Sequence, residues 1–271
     1  MRMINHHPGR VSATLLGLLP FLLIMLIYSL ASQERLAENP NDKLLPGLEQ
    51  MTAAVERMAF QEDRRSGDYL MVQDTTASLA RLGMGVGIAA LLALVVGILN
   101  GVLPLVRANL APLVSALSMV PPLAILPILF IVFGLGELSK VMLIVIGTAP
   151  IMMRDVAQRV RELPGEQLIK IQTLGANSWQ VITRMALPQV LPRLIDAVRL
   201  SLGPAWLFLI AAEAIASTEG LGYRIFLVRR YLAMDVILPY VVWITLLAFA
   251  IDFLLRRYSQ WRYPWFHQQG H

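Results

Sequence analysis

Three runs of 23, 25 and 29 residues (11–33, 82–106 and 108–136) contain no charged side chain, and they constrain this chain more than any other feature. About twenty apolar residues at 1.5 Å each cross a hydrocarbon core of roughly 30 Å. Inside that core every backbone N–H and C=O must be satisfied within the protein, as in a helix. The chain is 56% hydrophobic and only 15% charged, with mean hydropathy +0.62, so lipid is the expected solvent.

The runs predict an all-α integral membrane protein of about six transmembrane helices in one domain, 1–271. The expected spans are 11–33, 82–106, 110–134, 137–155, 194–216 and 236–255. A signal peptide is the rival for the first, since Arg2 and Arg10 precede it and Ser29-Leu30-Ala31 resembles a cleavage site. The run is longer than a signal h-region, so it is kept as a span.

Arginine and lysine set the expected orientation. Arg2 and Arg10, the tail residues Arg256, Arg257 and Arg262, and the base-rich loop 159–192 fall on one side of a six-span chain. The segment 32–81 holds nine acids and six bases. Both termini are therefore predicted cytoplasmic and the loop 34–80 periplasmic. Arg224, Arg229 and Arg230 lie on the other side and stand outside this pattern.

Several chemistries are excluded. There is no cysteine, and the four histidines (His6, His7, His267, His271) sit at the ends, so no histidine metal site or base lies in the membrane body. None of Lys43, Lys140 and Lys170 follows a glycine, so the chain has no Walker A loop and no ATPase site of its own. No cofactor is expected in this chain, and the arginine excess reports orientation rather than nucleic-acid binding.

Outside the spans, Leu44, Leu48, Met51, Val55 and Met58 form a one-sided stripe, predicting a short amphipathic helix within 40–60. The second span carries Gly83, Gly85, Gly87, Gly97 and Gly101, including two GxxxG spacings suited to close helix approach. The third contains Pro112, Pro121, Pro122 and Pro127, which predict a kinked helix lining a pathway or buried in the scaffold.

Residues 162–192 read ELPGEQLIKIQTLGANSWQVITRMALPQVLP. The spacing predicts a helix over about 166–174, a left-handed stop at Gly175, and an N-cap at Asn177 or Ser178. A second helix presents Trp179, Ile182 and Met185 on one face and ends at Pro188. Exposed apolar residues at a membrane mouth predict a docking knob for a soluble partner.

This segment resembles the cytoplasmic signature of the binding-protein-dependent ABC importer permeases: Glu-Ala-Ala, a glycine six residues after the Glu, then Ile-x-Leu-Pro ten further on. Gly175, Leu187 and Pro188 match in register, with Met185 at the isoleucine position. Ile169, Lys170 and Ile171 occupy the Glu-Ala-Ala positions, with Glu166 one turn earlier. The likeness extends over nearly the whole chain through Leu45-Pro46, Ser78-Leu79-Ala80-Arg81, Ala212-Glu213, Gly220-Leu221-Gly222-Tyr223 and Pro264-Trp265. It is nearest the nitrate/sulfonate/taurine branch, within it the permeases associated with urea carboxylase.

The resemblance implies a type I importer fold and an inner-membrane permease homodimer. Its partners would be two ATPase subunits, which bind ATP and Mg, and a periplasmic or lipoprotein solute-binding protein. It implies import of a small polar solute: nitrate, sulfonate or taurine-like, or a small nitrogen compound such as a urea or guanidine derivative. The ATPase-coupling residues would be Glu166, Ile169, Gly175, Ala176, Trp179, Leu187 and Pro188. An ion-coupled secondary transporter is the alternative, although no inverted repeat is evident.

Glu213, Tyr223 and Arg224 are candidates for the translocation path or gate. A carboxylate at Glu213 needs a partner or solvent at that depth, and Arg224, Arg229 or Arg230 are the expected mates. A lone Glu213 would favour a cationic solute; free arginines would favour an anion.

Overall fold

In a computed structural model, residues 9–39, 42–63 and 67–267 are described; Arg2, His6, His7, Pro40, His271 and the side chain of Arg10 fall outside them. The described residues are helical, with no strand. In order they are α1 (Arg10–Glu38), α2 (Leu48–Ala59), α3 (Leu70–Val102), α4 (Pro104–Leu117), a 3-10 turn (Pro122–Ile125), α5 (Leu126–Phe133) and α6 (Glu137–Arg161). After these come α7 (Gly165–Thr173), α8 (Ser178–Gln180), a π-turn (Val181–Ala186), α9 (Leu187–Ala216), α10 (Leu221–Arg229), α11 (Met234–Arg262) and α12 (Pro264–His267). The end of the bundle holding 162–180 is called lower, and the end holding 217–233 upper.

The core forms where α3 meets α6, and glycine is the reason. A Cβ on Gly85 would lie 2.7 Å from Ile144, and one on Gly97 would lie 2.6 Å from Val156; Gly101 abuts Val160 in the same way. The offset of 59 residues is constant along these pairs, so the two helices run parallel and in step. A parallel pair needs a connection that returns across the full thickness, and 103–136 supplies it. On the other side α6 packs antiparallel to α9, with Gly147 against Phe208 and Lys140 beside Ser217. Of the two GxxxG spacings only Gly97 and Gly101 serve this contact; Gly83 and Gly87 face open space. Gly97→Val is therefore expected to cost about 1–3 kcal/mol through overpacking, and Gly83→Val very little. Thermal denaturation in detergent would show it, and equal melting of the two variants would refute this packing.

Three helix limits differ from those expected. The return span 110–134 is not one kinked helix: α4 and the following pair of helices meet at 82°. Pro121 and Pro122 in succession remove two backbone donors, so the ladder stops at Ser118 and restarts beyond them. With that bent pair counted once, five long apolar helices become six spans. Helix α3 begins at Leu70 rather than near 82, which brings Asp74 and Arg81 inside a span. Pro188 does not end a helix: Ser178–Ala216 is continuous over 39 residues, because the π-turn widens the ladder just before the proline that lacks a donor.

The predicted amphipathic helix is α2, which packs Ala54 onto α3 and α11. In the C-terminal part of helix α1, Tyr28 and Ser32 donate to the carbonyls of Pro46 and Leu45; its most apolar stretch is bare of contacts among the described residues.

Candidate functional site

Two places carry the chemistry expected of this chain, one at each end of the continuous 178–216 helix. At the upper end, α10 starts at Gly220 without a side chain to cap it. The orphan donors of a first turn need acceptors, and neighbouring helices provide them. Gly220 N–H donates to Asp74 Oδ1 (2.9 Å), Leu221 N–H to Ser78 Oγ (2.8 Å), and Gly222 N–H to Glu213 Oε2 (2.9 Å). Gly220 sits at φ +122°, and a Cβ there would lie 2.5 Å from the Glu213 carboxyl carbon. At Gly222 a Cβ would meet the Ile210 carbonyl oxygen at 2.7 Å. The Gly-Leu-Gly motif is thus the shape required to seat a helix start on a carboxylate.

That carboxylate is 0% exposed and fully bonded. Arg81 Nη1 donates to Glu213 Oε1 at 2.7 Å, and Ser78 Oγ reaches the same oxygen at 2.8 Å. The Arg81 guanidinium also forks onto both oxygens of Glu137 (2.5 and 2.9 Å) and donates to the Glu219 carbonyl at 3.0 Å. Lys140 Nζ completes the cluster on Glu137 at 2.7 Å and Ser217 at 3.2 Å. Beside it Asp74, also 0% exposed, accepts from Arg224 Nε (2.8 Å) and Tyr240 OH (3.1 Å). Five helices meet in this clamp: α3, α6, α9, α10 and α11.

The partner of Glu213 is therefore Arg81, and the three expected mates are otherwise placed. Arg224 serves Asp74, while Arg229 lies over Phe226 and Arg230 is exposed. Tyr223 is half-buried under Arg224. Arg199, well below, pairs bidentately with Asp252 of α11 at 2.8 and 3.1 Å. Sequence reasoning missed Arg81 because it was taken as the residue entering a span; Asp74, Arg81 and Glu213 are within reach only once α3 starts a dozen residues earlier.

At the lower end, α7 stops in a Schellman turn: Ala176 N–H donates to the Ile171 carbonyl and Gly175 N–H to that of Gln172, with Gly175 at φ +84°. Asn177 caps the next helix, its Oδ1 accepting from Gln180 N–H at 2.9 Å while its own N–H donates to Gln180 Oε1. Ile169, Leu174 and Trp179 stand 63%, 78% and 69% exposed around this turn. Met185 is buried instead, so Trp179 and Met185 do not share a free face. Glu166 occupies the first turn of α7, where the helix dipole favours a carboxylate, and has no ion-pair partner among the described residues. Leu187 is half-buried and Pro188 exposed, both in the first turn of α9.

Residues 71–263 match the family of binding-protein-dependent transport system inner membrane components. The chain belongs to that family. It is thus the permease subunit of an ABC importer, a multi-pass membrane protein that works with an ATPase and a solute-binding protein. The taurine transport system permease protein of Escherichia coli (strain K12) is 37% identical over 199 residues, 73% of this chain and 72% of that protein. The bicarbonate transport system permease protein of Synechococcus elongatus is 30% identical over 258 residues, 93% of this chain and 87% of the relative. These relatives place the permease in the nitrate/sulfonate/taurine branch. The MetNI methionine ABC transporter in an inward facing conformation shares the fold, with TM-score 0.63 at 22% identity, over 73% of this chain and 98% of that one.

Proposed function

We propose that this permease works as a homodimer, with both termini and the 159–192 loop in the cytoplasm. It carries a small polar solute of the taurine, sulfonate, nitrate or bicarbonate kind, or a small nitrogen compound. The observation that carries the reading is mechanical. Ile169, Leu174 and Trp179 form an exposed apolar knob, rigidified by the Schellman turn and the capping box. Trp179 stands at the lower end of one unbroken helix, Ser178–Ala216, that carries Glu213 near its upper end, and Ile169 and Leu174 flank it from α7 and its closing turn.

ATP-driven closure of the ATPases would seize Trp179, Ile169 and their neighbours Gly175 and Ala176, and rock that helix as a lever. Leu187 and Pro188 lie just beyond the π-turn, where the lever enters the bundle. The clamp around Glu213, Arg224 and Tyr223 is the proposed gate at the periplasmic end. The test is reconstitution of the permease in vesicles with its ATPase and binding protein. ATP turnover is expected to rise when the loaded binding protein is added, and uptake to vanish with an ATPase lacking its Walker A lysine. Uptake that continues without any ATPase would sink the proposal.

A further inference from the structure

The last long helix carries a patch that solute import leaves without a task. On α11, Val242, Leu246, Phe249 and Phe253 are exposed at spacings of four, three and four, one apolar stripe down the outside of a span. Arg256 and Arg257 follow Phe253 by three and four residues, so they sit one turn below it and straddle the same stripe. Trp261, 77% exposed, lies one turn below Arg257. The stripe thus passes from apolar side chains to two guanidiniums and an indole at the lower end of the span.

These arginines have no acid to serve. Residues 253–267 hold three arginines, six aromatic residues and no carboxylate. Asp252, four residues before Arg256 and well placed to pair with it along the helix, is held by Arg199 at 2.8 and 3.1 Å. Neither Arg256 nor Arg257 has an ion-pair partner among the described residues. The frame around them is tied down. Buried Ser259 is hydrogen-bonded to His267 (Oγ to Nε2, 3.1 Å), which holds α12 on α11, and Arg193 of α9 lies 4.5 Å over the Phe266 ring.

Three kinds of occupant compete for such a stripe, and its chemistry selects one. A second copy packed here about a two-fold axis would set Arg256 and Arg257 against their own images. A soluble subunit can reach the arginines but not the apolar stripe, which climbs about three turns into the hydrocarbon. An anionic phospholipid meets all of it, with acyl chains along the stripe, phosphodiester at the arginines and glycerol level at the indole.

We propose that Arg256, Arg257 and Trp261 form a seat for the headgroup of an anionic phospholipid. A guanidinium fork takes phosphate oxygens in pairs and keeps its charge. The inference goes beyond the importer reading and takes from it only the leaflet, the cytoplasmic one.

The test places the full-length permease in phosphatidylcholine vesicles holding a minority of phosphatidylglycerol brominated near the headgroup end of its acyl chains, or the matching brominated phosphatidylcholine. Bromine quenches only the tryptophans it touches, so extra quenching by phosphatidylglycerol measures anionic lipid gathered at an indole. The wild type should show that excess, and Trp261→Phe should remove at least half of it. Arg256→Gln/Arg257→Gln should abolish it, and Arg256→Lys/Arg257→Lys should keep part, since lysine brings charge without the planar fork. Arg229→Gln/Arg230→Gln, which removes two exposed charges from the upper end, should leave it unchanged. Equal quenching of the wild type by the two lipids overturns the proposal. So does an excess that survives in full in Trp261→Phe or in Arg256→Gln/Arg257→Gln, which places the lipid elsewhere. An excess abolished by free glycerol 1-phosphate marks a phosphate site and overturns the lipid assignment. If the glutamine pair fails to insert, the wild type and Trp261→Phe decide the matter by themselves. None of these outcomes touches the importer reading, which ATP turnover with the binding protein answers separately.

Discussion

Arg81→Met is expected to destabilise the permease by about 3–5 kcal/mol, the usual cost of stripping one partner from a buried ion pair. The arginine holds Glu213 and Glu137 together and touches the Glu219 carbonyl, with its side chain only 3% exposed. Its loss leaves Glu213 wholly buried with a hydroxyl and one backbone N–H for company. Lys140 still reaches Glu137 but not Glu213. The double variant Arg81→Met/Glu213→Met should recover a substantial part of the loss, because it removes both charges instead of orphaning one. Arg199→Met is the internal comparison. Its partner Asp252 is 39% exposed, so a smaller loss of about 1 kcal/mol is expected. Thermal unfolding in detergent, followed by monodispersity, ranks the three. Should Arg81→Met melt with the wild type, the clamp holds nothing.

What the sequence could tell about these sites follows from range. Gly175, Asn177 and Gln180 act on neighbours within five residues, so the Schellman turn and the cap were readable from spacing alone. The uncharged runs were readable because a span is defined by its own composition. The clamp was not. Ser78 and Glu213 are 135 residues apart, and Asp74 and Tyr240 are 166 apart, so nothing local marks them as partners. Hydropathy also misplaced the start of α3, because a window that rejects charge ends a helix at Arg81, whereas the fold neutralises that charge inside it. The broken return span was half-visible: four prolines announced a disturbance, but the 82° bend depends on Pro121 and Pro122 acting together at the end of α4. Glycines divided likewise, since Gly83 and Gly97 look equivalent in a GxxxG pattern until α6 is seen to pass only one of them.

Trp179→Ala is expected to abolish uptake with the permease still inserted and folded. The indole is 69% exposed and its loss removes no contact of the bundle core, so stability should change by less than about 0.5 kcal/mol. At a protein interface, a tryptophan that fills a pocket commonly accounts for 2 kcal/mol or more, which is roughly a thirtyfold fall in ATPase affinity. Gly175→Val should act on the same contact by a different route. Valine at φ +84° is strained by about 1–3 kcal/mol, and the turn relieves that strain by swinging Leu174 away from Trp179, so the apolar patch is no longer one surface. Both variants should therefore separate insertion, which persists, from co-purification with the ATPase, which drops by an order of magnitude or more. The lever argument adds a stricter requirement. Because Ser178–Ala216 is one helix, a motor that holds Trp179 should displace Glu213 as well. A fluorescent probe at Thr218, exposed beside the clamp, should then respond to ATP in the wild type and fall silent in Trp179→Ala. A probe that still responds in the variant would mean that force enters the bundle elsewhere.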